Sequence, residues 1–327
     1  MHLTVMVLGA LVPAELVAEL ATSLTAPALT RLLARAERTA DAAAAPGLAG
    51  SDWLAREVFG TAPPAPTAPY ARAALSGSYD ARQVWHADPV HIAVGRESLI
   101  VQELGAASPA PEEADALIAA ASALCAEHGC DLQRAGSAWF LSNWHAWSMR
   151  PQPLAAMSGT PMPLPAAGET DALIWSRLHN AIQMVWHEHP VNQAREREGR
   201  PAINGLWLHG GGHWAPLAPL RWQRVHSRDA GLRGAARAAG AVDANEDEVP
   251  HEDALLVWDD ALAARRQMDW QDWIAAMTTV DRRLAKLPAA GVELVLTGPQ
   301  RRKQWSARPT DRFRLWRRHR FAEALAE

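Results

Sequence analysis

The spacing of hydrophobic positions changes period several times along the chain, and each change marks an element. Leu3 to Leu8, Leu-Thr-Val-Met-Val-Leu, is a mainly apolar run closed by Gly9, the pattern of a short buried strand. Pro13 to Arg38 has helical spacing, and Pro27 is expected to break it. Asp41 to Gly50 reads as an Ala/Pro/Gly loop, Asp52 to Phe59 as a helix with Ser51 as its N-cap, and Thr61 to Pro69, with its four prolines, as a linker. Val84 to Val94, Ser98 to Glu103 and Ala138 to Leu141 read as strands. Pro111 to His128 reads as an Ala-rich helix opened by Pro111, Glu112 and Glu113. A Pro-rich stretch, Arg150 to Gly168, follows.

The later part alternates more regularly. Asp171 to His189 predicts an amphipathic helix with Ile174, Leu178, Ile182 and Val185 on one face. Ile203 to Leu208 predicts a strand that runs into a Gly210-Gly211-Gly212 loop. Leu255 to Trp258 and Val292 to Leu296 predict strands. Between them, Trp270 to Leu287 predicts a helix with Ile274, Met277, Val280 and Leu284 on one side. Phe313 to Trp316 reads as a last edge strand. Strands alternating with helices predict an α/β fold with a mostly parallel sheet flanked by helices. Residues 84–165 read as a small α+β domain inserted into a core made of 1–83 and 166–327.

Composition narrows the functional classes. A net charge of −4 supplies no global field towards nucleic acid or membrane, and no run is apolar enough for a membrane span. The apolar start lacks a basic leader, so the expectation is a soluble cytoplasmic protein. Cys125 and Cys130 fit neither a zinc site nor a disulfide scaffold and read as small buried residues of a reducing compartment. Fifteen Trp against two Tyr and four Phe make tryptophan the main aromatic packing residue.

Three groups of residues carry candidate chemistry. His187, His189, His209, His213 and His226 lie close in sequence, and His209 and His213 bracket the three glycines. A metal site using them is one reading, and loop histidines bonded to carbonyls are the favoured one. Arg195 and Arg197 suit phosphate binding, while Glu196 and Glu198 offer surface ion pairs instead. Residues 301 to 320 are rich in Arg and interleaved with Trp305, Phe313 and Trp316. That pattern suits a nucleic acid or another polyanion, but a charge-guarded edge strand is preferred.

A longer string then stands out: His189-Pro190-Val191-Asn192, Arg195, Gly199, Pro201, Asn204 and Gly210-Gly211-Gly212, with Gly50-Ser51-Asp52 upstream. It resembles the archaeal-type cofactor-independent phosphoglycerate mutases. With Ala87-Asp88-Pro89-Val90-His91 and Trp316-Arg317-Arg318 it is also similar to the proteobacterial RpfE-type regulatory proteins. The resemblance implies an alkaline-phosphatase-like core with an inserted domain, and Ser51 in the place of the phosphoacceptor nucleophile. It also implies two divalent metals held by Asp and His at the ends of core strands.

Most of those ligand positions hold other residues. Leu8-Gly9 stands where the family has Asp-Gly, Ala55 where it has a His, and Gly298-Pro299 where it has Asp-His. Asp259 and Asp260 remain as carboxylates. The expectation is a catalytically degenerate, mutase-like protein with no cofactor. It would bind a phosphorylated small molecule or a protein partner in a regulatory role, through Ser51, Asn192, Arg195, Asn204 and Gly210 to Gly212. One alternative is an active phosphoryl-transfer enzyme with a rebuilt Mn or Zn site drawn from His209, His213, Asp259 and Asp260. Another is a polyanion-binding protein using the basic C-terminal segment.

Overall fold

The computed structural model describes residues 1–96, 98–162, 170–246, 248–288, 291–308, 311 and 321–327. These form two compact units, one made of 1–63 and 216–327 and the other of 64–215. The chain starts in the first unit with β1 (Leu3–Val7), α1 (Val17–Ser23), α2 (Pro27–Arg35), β2 (Glu37–Ala43) and α3 (Ala49–Glu57). The second unit follows with α4 (Thr67–Ser76), β3 (Gln83–Val94), β4 (Leu99–Glu103), α5 (Pro111–Glu127), β5 (Cys130–Ala135), β6 (Ala138–Asn143) and α6 (Leu154–Met157). It ends with α7 (Thr170–His187), α8 (Pro190–Arg197) and β7 (Gly205–Gly212). The chain then returns to the first unit as β8 (Arg224–His226), α9 (Ala230–Ala238), β9 (Val242–Ala244), β10 (Ala254–Trp258), α10 (Leu262–Gln267), α11 (Trp270–Leu284), β11 (Val292–Thr297), β12 (Arg301–Ala307) and α12 (Phe321–Leu325).

The first unit is built on a seven-stranded sheet in the order β2-β12-β11-β1-β10-β8-β9. β1 lies parallel to β10 and β11, with Leu3 opposite both Ala254 and Val292. β8 and β9 continue the parallel set, while β12 and β2 close one side antiparallel. All five residues of β1 are buried, as a strand covered on both faces requires. Leu3, Val5 and Val7 point into a core shared with Leu29, Trp273, Met277, Val280, Leu294 and Trp305. Trp273 donates its ring N–H to the Gly9 carbonyl at 2.9 Å. Gly9 itself takes φ +75°, and a Cβ there would meet the Ala261 carbonyl oxygen at 2.9 Å.

The second unit is antiparallel throughout. Its long β3 pairs β6 through Gln83–His86 and β4 through Val90–Val94, while β7 pairs its residues from Val84 to Val90. Trp85, Ala87, Leu132, Trp139, Leu141, Leu206 and Leu208 make one apolar face under α5 and α7. Cys125 and Cys130 are free thiols inside this core, and burial pushes them up to about 12 and about 11, so they stay unreactive.

Several expectations shift. The second unit runs from 64 to 215 rather than 84 to 165, because β7 pairs β3 and α7 packs on α5. The buried face of α7 is Leu178, His179, Ile182 and Trp186, which leaves Ile174 and Val185 exposed. Gly210 to Gly212 finish a strand rather than forming a loop. The 41–50 loop begins inside β2, an exposed polar strand without the alternation that announces one. Phe313 to Trp316 lies outside the described residues. No described helix is long and apolar enough to cross a membrane.

Candidate functional site

The structure divides the sequence candidates between the units. Ser51, Asp259 and Asp260 belong to the first; Asn192, Arg195, Asn204, His209, Gly210, Gly211, Gly212 and His213 belong to the second.

Ser51 is not an N-cap. α3 starts at Ala49, three residues earlier than expected, and Ser51 sits in its first turn with Oγ donating to the Leu48 carbonyl at 3.1 Å. Gly50 packs flush on the sheet, where a Cβ would lie 2.7 Å from Leu8 and 3.7 Å from the Thr297 hydroxyl. The next residue, Asp52, has Oδ1 buried without a hydrogen-bond partner, and burial pushes its carboxyl up against the opposing charges of Arg56 and Arg302.

Asp259 and Asp260 follow β10 at the carboxyl ends of the parallel strands, where α/β sheets usually bind ligands. Both are paired. Arg283 donates to Asp260 at 2.8 Å, and Arg228 stands 3.8 Å from each of the two carboxylates. Arg283 also lies over the Trp258 ring, 5.8 Å from its centroid.

In the second unit, most of the mutase-like string is occupied by architecture. Asn192 is buried; its amide donates to the Trp186 and Ile203 carbonyls and its oxygen accepts the Ile203 N–H, all at 2.8 Å. Asn204 makes the matching pair with the backbone of Ile92, at 2.6 and 3.0 Å. Arg195 is fully buried. It donates to the Pro201 and Ala107 carbonyls and to Glu113 at 2.8 Å, so no N–H edge is turned towards a cleft. Burial would raise the Glu113 carboxyl, but hydrogen bonds from Arg200 and the Ala110 N–H, with the charge of Arg195, hold it below its usual range. A Cβ on Gly211 would lie 2.2 Å from the Trp85 ring, and one on Gly212 would lie 2.5 Å from Pro66. These glycines admit neighbouring side chains rather than cradle a phosphate.

His213 is exposed, with Nδ1 3.4 Å from the Ala81 carbonyl oxygen. His209 has different surroundings. β3 and β7 place it directly opposite His86 on the face away from the apolar core, beyond a register shift between Val84 and His86. Asp88, two residues along β3, shares that face, and its Oδ2 lies 2.8 Å from His209 Nε2. The two imidazoles stack with centroids 4.7 Å apart, and Phe140 flanks His86. Burial, helped by the charge of His209, pushes His86 down to about 3. Burial would raise Asp88, but the His209 hydrogen bond and the charges of both histidines outweigh it and hold the carboxyl low. Sequence reasoning missed His86 and Asp88. Their signal was the His86-Ala87-Asp88 spacing within a strand, which aims both side chains one way.

The second unit also has a cavity of about 550 Å³. Its wall includes Ser148, Arg150, Asp171, Trp175, His179, Asn180, Gln183 and Trp207. Burial pushes His179 down to about 4, and its Nε2 accepts the Leu206 N–H at 3.0 Å. Asp171 is held by the N–H and hydroxyl of Ser148, both at 2.7 Å. Of the basic run 301 to 320, residues 309–310 and 312–320 lie outside the described residues. Within it, Arg301 pairs with Asp41 at 2.6 Å, and Lys303 is buried with Nζ donating to the carbonyls of Glu323 and Ala326.

No protein-family model matches the chain, and no curated protein matches it. Among solved structures it is similar to the PH0037 protein from Pyrococcus horikoshii, at 14% identity over 93% of this chain and 87% of that one, with a TM-score of 0.53. It is also similar to the cofactor-independent phosphoglycerate mutase from Thermoplasma acidophilum DSM 1728, at 15% identity over 94% and 90%, with a TM-score of 0.38. The likeness to the Pyrococcus protein is one of fold: a mixed α/β chain with parallel and antiparallel sheets.

Proposed function

We propose that this chain is a phosphoglycerate-mutase-like protein that works by binding rather than by phosphoryl transfer. The observation that carries the reading is the setting of Ser51. Its hydroxyl is bonded back to Leu48, and the nearby strand ends offer Leu8, Gly9 and Gly298, with Ala55 one turn further along α3. The two-metal chemistry that the resemblance implies does not fit this donor set. None of those side chains can ligate a cation, and the carboxylates that remain, Asp259 and Asp260, are already paired with Arg228 and Arg283. A serine hydroxyl without a cation or base beside it remains a poor nucleophile near neutral pH.

The ligand in this reading is a small phosphorylated molecule, and the role is regulatory, as the resemblance implies. Support for a small ligand comes from the cavity of the second unit, where Arg150, Asn180 and Gln183 stand against Trp175 and Trp207. Two measurements test the proposal. Mutase and phosphatase assays with added Mn²⁺ should give no turnover that Ser51→Ala removes; serine-dependent turnover overturns it. Titration with 3-phosphoglycerate should raise the melting temperature of the wild type and not of Arg150→Ala. A wild type indifferent to the compound overturns the ligand class.

A further inference from the structure

We infer that His86, Asp88 and His209 form a binding site for one divalent transition-metal ion of the zinc type, separate from the metal positions of the mutase resemblance. Among the described residues this is the one group of three metal-competent side chains, with one donor atom from each lying within 4.8 Å of the others. The backbone explains why they meet. His86 and Asp88 are two apart on β3 and therefore point to the same face, and the antiparallel register puts His209 opposite His86. Adjacent strands hold all three, so they are positioned more rigidly than ligands on loops.

The donor set is two imidazoles and one carboxylate, a combination used for zinc and for other first-row divalent ions. Three protein ligands leave a coordination position for water or for an oxygen of an anionic ligand. Asp88 and His209 already touch at 2.8 Å, and a cation would draw in the His86 ring that now stacks on His209. The neighbouring backbone leaves little slack. Gly210 takes φ +59°, and a Cβ there would meet the Thr67 hydroxyl at 2.3 Å and the His86 ring at 3.1 Å. His213, the other histidine bracketing the glycines, is bonded elsewhere and takes no part.

The test uses the full chain, stripped with a chelator and titrated with Zn²⁺ against a competing dye and with Co²⁺ by visible absorption. One equivalent should bind, with Co²⁺ giving the d–d bands of a nitrogen- and oxygen-ligated site. His86→Ala, His209→Ala and Asp88→Asn should each weaken Zn²⁺ binding by at least the roughly 100-fold that loss of an outer-shell partner can cost, and His213→Ala should leave it unchanged. If an alanine variant fails to fold by circular dichroism, His86→Gln and His209→Gln replace it. Binding that survives in the folded His86 and His209 variants overturns the inference, as does a wild type that takes up less than one equivalent of Zn²⁺. Neither result bears on Ser51, so failure here is distinguishable from failure of the binding-protein reading.

Discussion

Two regions carry the residues that a mutase-like reading selects, and they have been put to different uses. At the carboxyl ends of the first unit's parallel strands, the positions that the resemblance assigns to ligands hold Leu8-Gly9 and Gly298-Pro299, with Ala55 for another on α3, and the two aspartates left there are paired with arginines. In the second unit, the string from Asn192 to Gly212 carries the resemblance, yet Asn192, Arg195 and Asn204 bind backbone and the glycines receive Trp85, Thr67 and Pro66. Polar residues that look like a binding motif in sequence can be the fittings of a turn. The donor cluster on the other face of the β3–β7 pair uses none of that string: His209 stands just before the three glycines, and His86 and Asp88 come from β3.

The sharpest way to break this contrast is Arg195→Met. If Arg195 is structural, removing its guanidinium leaves the Pro201 and Ala107 carbonyls without their donor and takes one of Glu113's cationic partners, and urea denaturation should show a loss of about 2–5 kcal/mol. A ligand-binding arginine would instead leave stability nearly unchanged and alter affinity. Gly211→Ala comes next. Its new methyl would press on the buried Trp85 ring, and a loss of about 1–3 kcal/mol is expected, with a red shift in tryptophan fluorescence if the ring is displaced towards water.

A pH series sharpens the comparison inside the second unit. His179 is held at about 4 when folded, below its ordinary value of 6.5, because burial disfavours the charged ring. Its contribution is therefore complete above pH 6.5 and is lost as the pH falls towards 4, when the unfolded chain takes a proton that the folded ring refuses. The slope from this group is up to about 1.4 kcal/mol per pH unit. Chemical denaturation from pH 7 to 4 should show it, and His179→Gln should flatten that window. The smallest effect is expected at Ser51→Ala, within about 0.5 kcal/mol, since one hydroxyl bonded to its own helix turn is all that is lost.

Much of the first unit was legible from residues alone. β1, β10 and β11 are mainly apolar runs, interrupted only by Thr4 in β1 and Glu293 in β11, and α11 shows its buried Met277, Val280 and Leu284 in the expected spacing. β2 and β12 were not legible. β2 is polar and alanine-rich, and β12 hides its inward Lys303, Trp305 and Ala307 within a run that reads as charge. Lys303 is tolerated inside because two carbonyls receive its ammonium. His86 and Asp88 were visible as an alternating pair, but their meeting with His209 depends on strand register across more than a hundred residues, which no local pattern encodes.

The margin of the seven-stranded sheet has a consequence for crowded solutions. Its outer strand on one side, β2, presents Glu37, Arg38 and Asp41, with Asp41 already tied to Arg301, and the strand on the other side, β9, is only three residues long. Another molecule seeking to extend the ladder would meet charge at one end and too few peptide groups at the other. Polymerisation by strand addition is discouraged at both borders of the described sheet by charge on one side and shortness on the other.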